Sequence, residues 1–265
     1  PPQAVSVSKA PHFVDMVLAE LEKKYGEETV KRSGYRVKTT LNLAWQGQAE
    51  QIVRDQTAIN ASRGGRNAAL VAIDPKNGEV RALIGSSDYT NPQWGAFNVA
   101  INARQPGSSF KPIYFTEAMN RRLITPATII KDEATDFNGY APHNFDYKFR
   151  GDITVRNALS QSLNIPAVKV MDQLGIDNAV ETAQRMGIGT ITKDHDYGLS
   201  LALGAAEATP LAMTNAYAAF ANGGLQYQPT TIRQIENKYG EVEYRSNFAS
   251  KRVQSEQASY LISNI

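Results

Sequence analysis

The sequence predicts a mixed chain of α-helices and antiparallel β-hairpins. Apolar, strand-length runs at residues 68–73 and 80–84 flank Asp74-Pro-Lys-Asn-Gly-Glu79, whose Asn-Gly pair supplies positive φ for a tight turn. A second pair of runs, residues 231–236 and 242–244, flanks Lys238-Tyr-Gly-Glu241 in the same way. Elsewhere apolar residues recur at helical spacing in segments punctuated by glycine and proline. The class expected is therefore α/β in the broad sense, with α and β elements segregated (α+β).

In chain order, Phe13, Val14, Val17, Leu18 and Leu21 place an amphipathic helix over residues 12–25, ending at Gly26. Residues 35–41 alternate and are rich in β-branched side chains, which predicts a strand, and residues 43–59 return to helical spacing. The polar, glycine-bearing stretch 61–66 marks a boundary, so residues 1–66 form a small pedestal and 67–265 the main domain. In the loop that follows, Trp94 and Phe97 read as loop anchors rather than ligand stackers. Residues 132–150 carry Tyr140, His143, Phe145, Tyr147 and Phe149, either an ordered surface loop or the lining of a substrate groove. Helices are expected over 153–162, 167–174 and 178–186. Another begins where Thr209 caps and Pro210 takes the first position, and Asn222-Gly-Gly224 stops it. Residues 257–265 open a last helix.

Composition excludes several classes of function. With 28 Lys and Arg against 26 Asp and Glu in 265 residues, a balance of +2, nothing points to a polyanionic partner, and no nucleic-acid partner is expected. The absence of cysteine removes thiolate metal sites and a cysteine nucleophile, and three histidines make a histidine-rich metal site unexpected. No metal or cofactor is expected. No apolar run approaches the ~20 residues a membrane helix needs, so an anchor is expected only outside this stretch.

The chemistry is expected around Gln105-Pro-Gly-Ser-Ser-Phe-Lys111. Ser108 stands where an N-cap would stand before a helix over residues 110–119, and Lys111 follows at i+3 on the same face. A lysine whose pKa is lowered by burial or by positive charge can take the proton of a serine nucleophile. Alone the Ser-x-x-Lys pattern is weak evidence, because a second copy runs from Ser6 to Lys9 with no helical pattern around it. Ser162-Leu-Asn164 precedes Pro166 at a turn between helical segments, and the Ser-x-Asn spacing occurs once in the chain. Two short polar side chains there can enter a cleft together, and capping accounts for either one separately.

Taken in order, several segments resemble the transpeptidase domain of bifunctional class A penicillin-binding proteins, the peptidoglycan synthases. They are Ala69-Leu-Val-Ala-Ile-Asp-Pro-Lys-Asn-Gly-Glu-Val80, Arg104-Gln-Pro-Gly-Ser-Ser-Phe-Lys-Pro112, Ser162-Leu-Asn-Ile-Pro-Ala-Val168, Tyr197-Gly-Leu-Ser-Leu-Ala-Leu-Gly204 and the helix over 209–224. The resemblance implies the fold shared by these transpeptidases and serine β-lactamases, an antiparallel sheet flanked by helices. It makes Ser108 the acylated nucleophile, Lys111 its proton acceptor, and Ser162 with Asn164 the second motif of the cleft. It also implies the reaction. Ser108 would attack the carbonyl between the terminal D-alanines of a stem peptide, and an amine from a neighbouring stem peptide would resolve the acyl-enzyme. Water in place of that amine would make the product that of a carboxypeptidase, and β-lactams would acylate the same serine.

The implied partners are peptidoglycan stem peptides and β-lactam antibiotics, and the implied location is the outer face of the bacterial cytoplasmic membrane. The family's third motif, Lys-Thr/Ser-Gly, is absent, Lys24-Tyr-Gly26 and Lys238-Tyr-Gly240 being the nearest patterns. That motif is expected beyond Ile265, which would leave the fold incomplete at its C-terminal end. The family's membrane helix and glycosyltransferase domain are expected ahead of Pro1. A serine β-lactamase would need a base for deacylating water, and Glu243, which opens the Glu-x-x-x-Asn pattern ending at Asn247, lies in a predicted strand. A sensor that keeps the cleft without catalysis is the reading from a different class, and the intact Ser108 and Lys111 pair opposes it.

Overall fold

The computed structural model of the chain describes residues 8–265, so Ser6 of the N-terminal Ser-x-x-Lys copy and the first residues of the 1–66 section lie outside it. In order, its elements begin α1 (Pro11–Tyr25), α2 (Glu27–Ser33), β1 (Arg36–Thr39), α3 (Leu43–Ala61), β2 (Leu70–Ile73) and β3 (Val80–Ile84). There follow α4 (Lys111–Asn120), β4 (Ile129–Asp132), β5 (Gly151–Thr154), α5 (Val155–Ser160), α6 (Asn164–Leu174) and α7 (Ile176–Arg185). The last are α8 (Pro210–Ala221), β6 (Leu225–Tyr227), β7 (Ile232–Glu236), β8 (Val242–Arg245), β9 (Ser250–Arg252) and α9 (Glu256–Asn264). The described strands form antiparallel sheets β1-β7-β8, β2-β3 and β4-β5, with β6 beside β9. This is the mixed architecture of antiparallel strands and flanking helices that the sequence predicts.

Contacts divide the chain into two compact units, residues up to Asn102 with Tyr227–Ala249, and Ala103–Gln226 with Ser250–Ile265. In the first unit α1 buries Phe13, Val17 and Leu21 and stops at Gly26, whose φ is 85°. Asn42 caps α3 by accepting from the N–H groups of Ala44 and Trp45, and α3 lays Ala49 and Val53 on Ala82 and Ile84 of the β2-β3 hairpin. The predicted strand and the second predicted hairpin join, Val37 opposite Ile235 and Ile235 opposite Tyr244. The predicted patterns miss α2, which buries nothing and so shows no apolar stripe. Lys24 lies at the end of α1 and Lys238 in the β7-β8 turn. Trp94 is half-buried and Phe97 exposed, and between them the Gly95 carbonyl ties the loop down, accepting from Ser86 Oγ at 2.7 Å and facing His12 Nε2 at 2.9 Å.

The second unit is built around α4. Ile113, Tyr114, Phe115, Ala118 and Met119 are buried on successive faces, so the helix is enclosed on all sides, packed against α6, α7 and α9. Its one buried carboxylate, Glu117, is paired with Arg121 and Arg185. Residues 153–162, expected as one helix, instead finish a strand and then turn into α5. Ile130 of β4 pairs with Ile153 of β5, and Thr154 then caps the helix by accepting from Asn157 N–H. The competing partner strand stands more than twenty residues upstream, outside any local window. α8 runs as predicted, with Thr209 Oγ1 accepting from Ala212 N–H and Pro210 in the first turn.

Candidate active site

Ser108 lies in a single turn of 3-10 helix, Gly107–Phe110, that leads directly into α4. Its side chain does not cap the helix as expected; no side-chain cap is present at either start. The turn is held on two sides. Gly204, at φ 74°, comes so close that a Cβ there would lie 2.1 Å from the Gly107 carbonyl oxygen, and Tyr217 of α8 donates its hydroxyl proton to the Ser109 carbonyl at 2.7 Å. The two adjacent serines are then distinguished. Ser109 Oγ donates to the Pro106 carbonyl at 2.7 Å, whereas Ser108 is exposed and its hydroxyl has no hydrogen bond among the described residues.

Lys111 opens α4 and is 1% exposed. Its Nζ lies 2.7 Å from the Ser162 carbonyl, 3.2 Å from Ser162 Oγ, 3.2 Å from the Leu163 carbonyl and 2.9 Å from Asn164 Oδ1. Burial pushes the ammonium down to about 8. No charged group contributes to that shift. The oxygens fit both protonation states: an ammonium donates to the three carbonyl oxygens, and a neutral amine can spend its lone pair on the Ser162 hydroxyl. The expected direct link to Ser108 is not made, since Nζ is engaged by the Ser162-Leu163-Asn164 turn.

That turn owes its shape to the end of α5. Ser162 N–H donates to the Leu159 carbonyl and Leu163 N–H to the Ala158 carbonyl, the bond pattern of a Schellman stop, with Ser162 at φ 56°. Glycine usually takes this left-handed position, and a side chain there costs about 1–2 kcal/mol. The conformation turns both oxygens of Ser162 toward Lys111. Asn164 starts α6 and donates through Nδ2 to the His143 carbonyl at 2.8 Å.

The structure thus brings Lys111, Ser162 and Asn164 into direct contact, and Ser108, Lys111 and Ser162 line one cavity of about 510 Å³ with Leu159, Tyr217, Phe220 and Ile262 among its walls. A larger cavity of about 1000 Å³, between α3 and the hairpin of the first unit, is lined by His12, Glu50, Arg54 and Arg66. Ser8, Ser86, Ser87 and Lys9 also line it, but Lys9 is exposed where Lys111 is buried, so the environment of the amine and not the size of the cavity selects the smaller one. No group of three or more His, Asp or Glu that could hold a metal occurs among the described residues. Glu243 stands exposed on β8. Gly204 and Tyr217, which hold the turn that carries Ser108, were not singled out from sequence as site residues. Only Gly204, a glycine closing an apolar run, left a local signal.

A family model of the penicillin binding protein transpeptidase domain matches residues 68–265. Penicillin-binding protein 2D of Bacillus subtilis is 37% identical over 98% of the chain and 38% of its own length. Penicillin-binding protein 1A/1B of the same organism is 32% identical over 99% of the chain and 29% of its own. The chain thus spans roughly a third of the length of such relatives. Among solved structures, penicillin-binding protein 1A of Haemophilus influenzae superposes with a TM-score of 0.85 at 22% identity, over 98% of this chain and 58% of that one. The PonA1 protein of Mycobacterium tuberculosis in complex with penicillin V gives 0.80 at 21% identity, over 95% and 69%.

Proposed function

Because this chain belongs to the penicillin-binding protein transpeptidase family, we propose that it carries the acyl-transfer site of a peptidoglycan D,D-transpeptidase, with Ser108 as nucleophile. The observation that carries the reading is the buried Lys111 amine, held by Ser162 and Asn164 in the cavity that Ser108 also lines.

The reaction follows from the groups present. Ser108 Oγ attacks the carbonyl between two terminal D-alanines, its bond to that carbon forms, and its proton passes to the neutral Lys111 amine. Ser162 Oγ, 3.2 Å from Nζ, returns the proton to the departing amine as the peptide C–N bond breaks. An acceptor amine from a second stem peptide then attacks the ester, and the proton it sheds returns to Ser108 as the C–O bond breaks. A β-lactam enters by the first step, and its ring C–N bond opens without releasing a fragment that makes room for the acceptor.

The same reading places the chain in a larger protein that also polymerises glycan and is anchored at the outer face of the bacterial cytoplasmic membrane. Among the described residues no helix is long and apolar enough to cross a membrane. The experiment is intact-mass analysis after incubation with penicillin, followed by peptide mapping. A single adduct on Ser108, lost in Ser108→Ala, is expected. An adduct on Ser109, or none, overturns the assignment.

A further inference from the structure

Helix α6 begins without a cap of its own. Leu163 occupies the N-cap position and offers no side-chain acceptor, so the first N–H groups of the helix need a partner from elsewhere. That partner lies twenty residues upstream: Asn144 Oδ1 accepts from Asn164 N–H at 2.8 Å and also faces Ile165 N–H at 3.4 Å. Asn144 is 2% exposed, in the long loop between β4 and β5. Its Nδ2 faces both carboxylate oxygens of Asp132 at 2.9 Å and donates to the Lys148 carbonyl at 2.8 Å. A reversed amide would set its oxygen against a carboxylate and a carbonyl, so one orientation alone serves.

Asp132 closes β4 and is fully buried, met by the Asn144 amide and by Arg150 N–H at 2.9 Å, with no ion-pair partner among the described residues. The nearby cation, Arg150, is paired with Asp146 and acts on Asp132 only at a distance, and a carboxylate that no cation touches directly is costly to bury. What it secures is the direction of the Asn144 amide. From there the line of contacts runs into the site: Asn144 holds the backbone of Asn164, the neighbouring His143 carbonyl holds the tip of its side chain, and Oδ1 of that side chain lies 2.9 Å from Lys111 Nζ. Both ends of Asn164 are thus fixed from one loop.

We propose that Asn144, oriented by Asp132, is a positioning residue that sets where the Ser162-Leu163-Asn164 turn stands against the Lys111 amine. The inference rests on the function proposed above. Its bland counterpart is a purely structural role, in which the pair does no more than pin the loop between β4 and β5.

The test compares the full chain with its Asn144→Ala and Asp132→Asn variants in rapid-mixing acylation by penicillin, separating the non-covalent dissociation constant from the first-order acylation constant across pH. The first-order constant is expected to fall on the order of ten- to a hundredfold, because an Å-scale displacement of a catalytic group costs about that much. The dissociation constant stays near the parent's. The pH midpoint of acylation moves up, since no carboxylate faces Lys111 and water entering where Asn164 withdraws relieves its burial. The Asp132→Asn change has nearly the shape of the parent side chain and leaves Asn144 itself in place, so it keeps the question open to measurement should the alanine variant fail to fold. Variants that acylate with the parent's first-order constant and midpoint per folded molecule overturn this inference alone. A parent that forms no Ser108 adduct overturns the function on which it rests.

Discussion

Gly204→Ala is the substitution for which the structure gives the sharpest expectation. The added Cβ would lie 2.1 Å from the Gly107 carbonyl oxygen and 2.6 Å from both the Gly107 carbonyl carbon and nitrogen, where real Cβ contacts essentially never fall below 3.0 Å. The neighbour is backbone and has no rotamer with which to escape, so the peptide must retreat by about 0.9 Å to reach that limit. Ser108 is the next residue and moves with it. Alanine at φ 74° adds about 1–2 kcal/mol of backbone cost, which lowers the melting temperature by ~2–4 °C per kcal/mol in a protein of this size. A displacement of ~1 Å at a nucleophile costs about a hundredfold in rate. The assay pairs thermal melting with the first-order rate of penicillin acylation, and Gly198→Ala, at an open position with no positive φ, is the control expected to match the parent. A Gly204→Ala protein that melts lower yet acylates at the parent rate would show that the contact with Gly107 does not position Ser108.

Further outcomes are expected. Acylation should rise with pH through about 8, because Lys111 can accept a proton only when neutral and burial lowers its pKa to that value; at pH 7 about a tenth of the amines are neutral and at pH 9 about nine tenths. A rate that is flat from pH 7 to 9 contradicts this. Lys111→Arg should reduce acylation by about 10² to 10⁴, since a guanidinium stays protonated, and circular dichroism should show an unchanged fold. A variant that acylates near the parent rate makes the lysine an electrostatic residue. Tyr217→Phe removes the donor to the Ser109 carbonyl and should cost about 0.5–1.5 kcal/mol in stability, read by denaturant unfolding, with slower acylation as the turn loosens. Equal acylation by Tyr217→Phe and parent leaves the turn held by Gly204 alone.

Much of this protein was legible along the chain because the information is local. Asn77-Gly78 between two apolar runs specifies the β2-β3 hairpin, Thr209-Pro210 and Asn222-Gly-Gly224 bound α8, and Gly26 ends α1. Ser108, Lys111, Ser162 and Asn164 were chosen as site residues on spacing and on resemblance, with no knowledge of where their side chains meet. Tertiary structure decided that meeting. Lys111 becomes a buried amine only because α4 is enclosed by α6, α7 and α9, and the oxygens around it come from a turn 51 to 53 residues further on. Ser162 reads in sequence as any serine after a helix, and its left-handed backbone is imposed by the carbonyls that close α5. The pairings of β1 with β7 and of β4 with β5, the approach of Gly204 to Gly107 and the Asn144 contact with α6 all join distant segments. Propensity and capping act within a turn or two of chain and can be read from a short window; which distant groups touch depends on how the whole chain packs, and no window contains that.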